Sequence, residues 1–336
     1  MINEITHIEN YSKLKLLISK ERTLAIYCCG PTIYQDLHKG NYRPLILLDY
    51  IYKLREEKGY ETKVVVNITD IDDKIFNWFE NKPIMDITQN PIYIKQTQKI
   101  LSNFYKTLED LGTSYKKWNF IRVSEELDEL RKTILNLKDL KESSEGLKKE
   151  ELPFYLWKGG HLLFSKNEDK YPDQGHPSWH LECAHIIKKE LGQYKKILHL
   201  GGIDLKVLHH PNEVSLLKSF KDHKIEQLHF FYSGMYMIEG RKMSKSLKNQ
   251  KYISNNVKQQ ILNFYLSDFN RPLVETISRL KEIKGYCLKL ESDQEKNKSV
   301  GLVEENLFDT SPSMLYRSDK LSFLRLMKRL YPSIFL

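Results

Sequence analysis

The chain has 336 residues, 40% of them hydrophobic and 29% charged, with a formal net charge of +9 at pH 7. That length supports two or three domains around a sizeable core. No apolar run approaches the roughly 20 residues of a membrane span, and MINEITHIENYSK lacks a basic-then-apolar leader pattern, so a cytoplasmic protein without a membrane segment is expected. Four cysteines, two of them the neighbours Cys28 and Cys29, form no disulfide framework and point to a reducing compartment. The positive charge suits a polyanion such as RNA, but a lysine-rich proteome bias gives the same number, and charge alone does not separate the two.

In chain order, TLAIYCCG (Thr23–Gly30) is a short apolar run stopped by Gly-Pro, the pattern of a buried strand ending in a turn. NYRPLILLDYIYKLREEKGY spaces its apolar residues as a helix does and closes on Gly59. ETKVVVNITDIDDK then gives a β-branched strand followed by clustered carboxylates. Strand, turn, helix and strand make a βαβ unit, hence a parallel sheet with ligands at its carboxyl edge. That edge receives Cys29, Gly30 and His38, with Thr69 and Asp70 leaving the next strand.

From about Tyr115 to Asp173 the chain is Lys/Glu-rich, with a helical SEELDELRKTILNLKDLKESSEG and a loop-like GGHLLFSKNEDKYPDQGHP. It reads as an insertion between two halves of the sheet. SWHLECAHIIKKELG is expected as a helix ending at Gly192, and KKILHLGGIDLKVLHHPNEVSLLKSF as strand, glycine turn and helix. HFFYSGMYMIEGRKMSKSLKN adds a strand, a turn and a basic loop. The expected divisions are 1–115 and 174–232 as the two halves of an α/β catalytic domain and 116–173 as the insertion. Residues 233–292 follow as a loop and helical region, and 293–336 as a linker and C-terminal helix.

Cys183 and HHPNE offer partners to a thiol at the sheet edge. His209 and Glu213, at i and i+4, share one helical face, and Pro211 is tolerated in the first turn. Two thiolates, an imidazole and a carboxylate (Cys29, Cys183, His209, Glu213) make a zinc set gathered from three segments. There is no CxxC pair, and scattered Cys and His are as a rule core residues, so spacing leaves both readings open. Between the adjacent thiols, strand alternation lets only one reach the site. Cys29, where the strand ends, is better placed, and Cys28 reads as a small buried hydrophobe.

HKGN (His38–Asn41) alone means little. KMSKS (Lys242–Ser246) is more specific: Lys242 and Lys245 on a mobile loop can follow charge building on a leaving pyrophosphate, which is transition-state electrostatics. A solvated basic loop is the plain alternative, weakened by finding both motifs in order around a split parallel sheet.

Taken together, the motifs resemble those of the cysteinyl-tRNA synthetases, a class I aminoacyl-tRNA synthetase family. YCCGPTIYQDLHKGN is similar to the family's CGPTVY…HIGN, VNITDIDDKI to NITDIDDK, and LPFYLWK to DFALWK. HPSWHLEC resembles GWHIEC, LGGIDLKVLHHPNE resembles GGGSDLIFPHHENE, and EGRKMSKSLKN resembles KMSKSLGN. The matches run in family order from about residue 24 to 250, roughly three quarters of the chain.

The resemblance implies a Rossmann-like class I catalytic domain with a helical insertion and a short α-helical C-terminal region. It implies activation of L-cysteine by ATP with Mg2+, then transfer to tRNA(Cys). One Zn2+ per chain would be held by Cys29, Cys183, His209 and Glu213. Trp179 would line the amino-acid pocket, with Gly30 and Thr69 near the substrate amine. His38 and Asn41 would hold ATP phosphates, Gly202 and Asp204 the adenosine ribose, and Lys245 would contact ATP. A soft-ligand zinc suits a thiol substrate. Apolar contacts separate near-isosteres by only about 10²-fold, whereas a metal that takes a thiolate rejects serine, whose hydroxyl stays protonated.

The sequence departs from the family at Lys39 (isoleucine there, so a charge is expected beside the phosphate site), Leu200, Pro211 and Lys248. Only 90 residues follow Ser246, where family members continue into a helical bundle and an anticodon-reading domain. Residues 251–292 still resemble the stem-contacting segment. Beyond them Phe323, Leu324, Met327, Leu330 and Tyr331 form an apolar helical stripe, with Arg325, Lys328 and Arg329 facing elsewhere. That stripe fits a helix docked on the body better than an RNA-binding tail. A monomer contacting the tRNA acceptor stem is expected. The alternatives are a paralogue ligating cysteine to a small amine, as mycothiol-ligase relatives do, or a non-catalytic RNA-binding paralogue. Intact His38, Asn41, Asp204 and KMSKS argue against the latter.

Overall fold

The computed structural model describes residues 2–79, 86–140, 156–163, 174–243, 249–253, 256–265, 267–294, 311–313 and 320–335. The first half runs β1 (Glu4–His7), α1 (Tyr11–Lys20), β2 (Thr23–Cys28), α2 (Lys39–Glu57), β3 (Glu61–Ile68), α3 (Asp73–Phe76), α4 (Pro91–Asp110), β4 (Asn119–Arg122) and α5 (Leu127–Leu140). Then come β5 (Trp157–Leu163), β6 (Gln174–Pro177), α6 (Trp179–Leu191), β7 (Lys196–Gly202), α7 (His209–Ser219) and β8 (Gln227–Ser233). The remainder is β9 (Tyr236–Ile238), β10 (Arg241–Lys242), α8 (Val257–Tyr265), β11 (Leu273–Glu275), α9 (Ile277–Gln294), α10 (Lys320–Leu330) and α11 (Pro332–Phe335).

Six strands form one sheet in the order β1-β8-β7-β2-β3-β4, and every pairing is parallel. From β2 the chain winds outward through β3 to β4, and from β7 it winds the other way through β8. The order therefore reverses between β2 and β7, and the crevice at their carboxyl ends is where such sheets bind ligands. Alternation splits β2 between two cores: Leu24, Ile26 and Cys28 pack on the α2 face, and Ala25 and Tyr27 on the face carrying α6 and α7. This is the continuous apolar pattern of a strand covered on both sides.

Three elements differ from the sequence reading. Asn119–Arg122, inside the stretch expected as an insertion, pairs with β3 as an edge strand of the main sheet. All four of its residues are half-buried, and it is too short to show a periodicity. The expected loop over 159–177 contributes β5 and β6, an antiparallel pair whose register shifts between Lys158 and Leu163. β1, which carried no strand signal, closes the opposite edge against β8.

A small sheet, β10-β9-β11, follows the main one. In α10 and just after it, Phe323, Leu326, Met327, Leu330 and Tyr331 are buried in the α2-side core, so the C-terminal helix docks on the body. The Leu324 side chain lies outside the described residues. Lys53 sits 3.5 Å above the Tyr331 ring, and Arg329 pairs with Glu57 at 2.8 Å. Among the described residues no helix is long and apolar enough to cross a membrane.

Candidate active site and metal centre

The crevice between β2 and β7 opens into a cavity of about 520 Å³. Cys29, Gly30, Thr69, Trp179, Cys183 and His209 line one end, and His38, Asn41, Gly202, Asp204 and Lys242 also line it. The fold thus gathers eleven of the residues singled out in the sequence at one edge. Glu213 lies behind the wall, fully buried. Lys245 and the rest of 244–248 fall outside the described residues.

Cys29 follows the last residue of β2, and its N–H donates to Leu200 O at 2.9 Å, which extends the strand pairing by one residue. It packs on the α6–α7 face, while Cys28 is wholly buried among α2-side residues. α7 begins at His209, with Pro211 in its first turn. Cys29 Sγ lies 3.8 Å from His209 Nε2 and 3.5 Å from His210 Nε2. Glu213 Oε2 lies 3.4 Å from His209 Nε2, and Oε1 lies 2.8 Å from His199 Nε2. Donor atoms of Cys29, His209, His210 and Glu213 all fall within 4.8 Å of one another. Cys183, from the first turns of α6, interacts with Cys29 and His209.

The buried groups of this cluster shift one another strongly. Burial raises the Cys183 thiol, but hydrogen bonds from Cys29 and His209 and the imidazolium charge bring it down to about 6. His209 moves oppositely: burial lowers it, and Cys183 and Glu213 lift it to about 10. Burial alone would raise the Glu213 carboxyl, yet the surrounding histidines hold it well below the usual carboxylate range. Its oxygens approach imidazole nitrogens but make no well-aligned hydrogen bond. A buried carboxylate so placed is costly unless a cation meets it, and soft thiolates with an imidazole and a carboxylate are zinc donors.

At the other end His38 caps α2. Its N–H donates to Asn41 Oδ1 at 3.1 Å, and the first turn holds no acidic residue. The Lys39 N–H donates to Lys251 O and the Asn41 N–H to His38 O, both at 2.9 Å, and the dipole of that N-terminus meets no acidic side chain in its first turn. Met243 packs against it, its Cε 3.2 Å from where a Cβ on Gly40 would sit. Lys242 Nζ is 3.7 Å from Asp204 Oδ2 across the cavity, both groups about half exposed.

Lys39 corrects one expectation. Its charge is not presented to the phosphate site: the side chain is buried, with Nζ 2.8 Å from Glu275 Oε2 in β11. Lys251 Nζ approaches the other oxygen at 3.0 Å, and Tyr236 and Asn263 also donate to Oε2. One helical turn on, the buried Arg43 guanidinium donates to the carbonyls of Gly234, Met235, Asp268 and Arg271 at 2.6–3.0 Å. Lys39 thus ties the start of α2 to the small sheet that carries Lys242, and Arg43 ties it to the segments that lead into β9 and β11.

Sequence reasoning missed His199, His210, Asn67 and Glu182, all in or beside the site. His210 Nδ1 meets the Tyr232 hydroxyl at 3.3 Å, and burial with neighbouring histidines pushes it down to about 2, so it stays neutral. A second histidine in HHPNE was visible, but only the fold shows that both its nitrogens are engaged.

A doubly wound parallel sheet, with HKGN at the crossing from β2 to α2 and KMSKS after its last strand, defines a class I synthetase catalytic fold. The family model for tRNA synthetases class I (C) catalytic domain matches residues 15–142 and 130–273, and the chain belongs to that family. The cysteine–tRNA ligase of Mycoplasma genitalium is 33% identical over 68% of this chain and 58% of its own length. That of Methanococcus vannielii is 29% identical over 99% of this chain and 76% of its own. The matches thus span 58% to 76% of these relatives. Among solved structures, a Mycobacterium tuberculosis methionyl-tRNA synthetase superposes with a TM-score of 0.57 at 12% identity, covering 92% of this chain and 82% of that one. That likeness is one of fold.

Proposed function

We propose that this chain activates L-cysteine with ATP and Mg2+ to cysteinyl-adenylate, releasing pyrophosphate, and transfers the cysteinyl group to the 3′ end of tRNA(Cys). One observation carries the reading: the Cys29, Cys183 and His209 donors open onto the same cavity as the N-terminus of α2. A thiol bound at the first end leaves its carboxylate directed along the cavity toward a nucleotide bound at the second.

Zn2+ fits Cys29, Cys183, His209 and Glu213, where it would supply a Lewis acid that takes the substrate thiolate. Cys183 is preferred to His210 as a ligand because its thiol meets both Cys29 and His209, whereas the His210 ring is also held by the Tyr232 hydroxyl at Nδ1. Trp179, held by its Nε1–H to Asp72 Oδ2 at 2.9 Å, walls the amino-acid end, and Gly30 and Thr69 face the amine. His38 and Asn41 offer the α2 N-terminus to phosphates, and Gly202 and Asp204 meet the ribose. Lys242 and Lys245 follow charge onto the departing pyrophosphate, stabilisation realised chiefly in the transition state.

The test is charging of a tRNA(Cys) transcript with labelled cysteine and ATP. Transfer that weakens steeply with salt, as phosphate contacts release counterions, supports the reading. Adenylate formation with no transfer to any transcript overturns the tRNA acceptor and assigns a small amine instead.

A further inference from the structure

Three segments that frame the nucleotide end of the cavity meet at one carboxylate. Glu275, the last residue of β11, is buried. Its Oε2 accepts from Lys39 Nζ at 2.8 Å, from the Tyr236 hydroxyl at 2.5 Å and from Asn263 Nδ2 at 3.2 Å. Its Oε1 takes Lys251 Nζ at 3.0 Å. The Asn263 amide is fixed in that sense, because Arg279 Nε can only donate and holds Asn263 Oδ1 at 2.8 Å.

Each arm runs on into backbone beside the cavity. The Lys39 N–H, at the start of α2, donates to Lys251 O at 2.9 Å. The Lys251 N–H reaches Met243 Sδ at 3.4 Å, and the Met243 N–H donates to Tyr236 O at 2.9 Å. Lys242, the residue before Met243, pairs with Met237 of β9, and its carbonyl accepts from Asn249 Nδ2 at 3.1 Å. It lines the cavity together with His38 and Asn41.

From this convergence we infer that Glu275 is a positioning residue for Lys242: it clamps the small sheet that carries Lys242 to the N-terminus of α2. Phosphates held at α2 and a lysine carried on β10 belong to different sheets of the fold, so the distance between them is set by the contacts that join the two. A buried carboxylate with four directed donors has one geometry, whereas an apolar contact in its place slides. An ammonium that follows charge onto a departing pyrophosphate needs that precision, since a displacement of about 1 Å costs up to about 10²-fold in rate.

The inference rests on the cysteine-activating reading. Zinc-loaded wild type, Lys242→Ala, Glu275→Gln and Lys251→Met are compared near neutral pH in cysteine-dependent exchange of pyrophosphate with ATP. The doubles Glu275→Gln/Lys242→Ala and Lys251→Met/Lys242→Ala complete two mutant cycles, with a thermal melt to confirm folding. Lys251 is about half exposed, so its cycle stands even where Glu275→Gln does not fold. Lys242→Ala is expected to lower kcat roughly 10²-fold, Glu275→Gln about tenfold and Lys251→Met about fivefold. The KM for cysteine should stay within about threefold of wild type, because the metal end is untouched. Each double should run within about twofold of Lys242→Ala alone, since nothing is left to position. Losses that multiply in the doubles would show that Glu275 acts through the fold at large, and single variants with wild-type kcat would show that the clamp does not set Lys242. Either overturns the inference alone. No exchange in folded wild type would overturn the activation reading, and the inference with it.

Discussion

Lys39 Nζ lies 2.8 Å from Glu275 Oε2, joining the first residue of α2 to the last residue of β11 across 236 positions of sequence, with both side chains buried. A charge that the alignment of motifs assigns to the phosphate site is thus spent inside the protein. Removing Glu275 leaves Lys39 buried with no carboxylate. Glu275→Ala is therefore expected to destabilise by about 3 kcal/mol or more, the scale for breaking a buried pair from one side. Lys39→Ile should cost less, since Glu275 keeps Lys251, Tyr236 and Asn263. Urea midpoints of the two variants check this, and Lys39→Ile proving the more damaging would contradict it.

The same carboxylate makes stability pH-dependent. Burial pushes Glu275 up, but Lys39, Tyr236 and Lys251 together bring it below its ordinary 4.5. A group depressed on folding stabilises fully above its unfolded value, and that contribution is lost as pH falls through the folded one. The stability gap between wild type and Glu275→Gln should therefore be widest near neutral pH and narrow as pH drops below 4.5. Denaturation of both proteins from about pH 7 to about pH 3.5 measures it, and a gap constant with pH would exclude the Lys39–Glu275 contact as its source.

Much of the catalytic half was legible because its strands are continuous apolar runs stopped by Gly-Pro or Gly-Gly, and its helices carry 3.6-residue spacing. Alternation in TLAIYCC was enough to send Cys28 and Cys29 to opposite faces. β4 was not legible, because four half-buried residues at a sheet edge carry no period. Nor could spacing show that Lys39 turns away from the phosphate end, since its partner arrives from β11. His199 and Glu182 looked like ordinary core-strand and helix residues, and only tertiary packing brings them beside Glu213 and Thr69.

The metal assignment has its own test in the adjacent thiols and adjacent histidines. Cys183→Ala should purify with little or no zinc, whereas Cys28→Ala, altering a residue on the other face of the sheet, should keep one zinc per chain. His210→Asn should retain zinc more fully than His209→Asn, because the His210 ring is also held by Tyr232, whereas His209 faces Cys183 and Glu213. Zinc content by elemental analysis, alongside a thermal melt to confirm folding, reads all four. Loss of metal in folded Cys28→Ala would reverse the choice between the cysteines.

Arg43 should be intolerant of change out of proportion to its distance from any reacting atom. Its two terminal nitrogens satisfy four backbone carbonyls at the junction of β8, β9 and the 268–271 turn. An ammonium has neither the span nor the planar fork to reach all four. Arg43→Lys is therefore expected to lower stability by about 2 kcal/mol or more and Arg43→Met by more, each leaving carbonyls unpaired. Denaturant titration checks the order, and a neutral Arg43→Lys would show that the carbonyls find other partners.

The central claim is that a thiol-recognising metal centre and a nucleotide site act on one substrate, and pyrophosphate–ATP exchange without tRNA tests it most directly. The account predicts exchange that depends on cysteine, runs poorly with serine, and slows roughly 10²-fold in Lys245→Ala, the scale of one lost transition-state contact. Exchange at equal rates with cysteine and serine would contradict it.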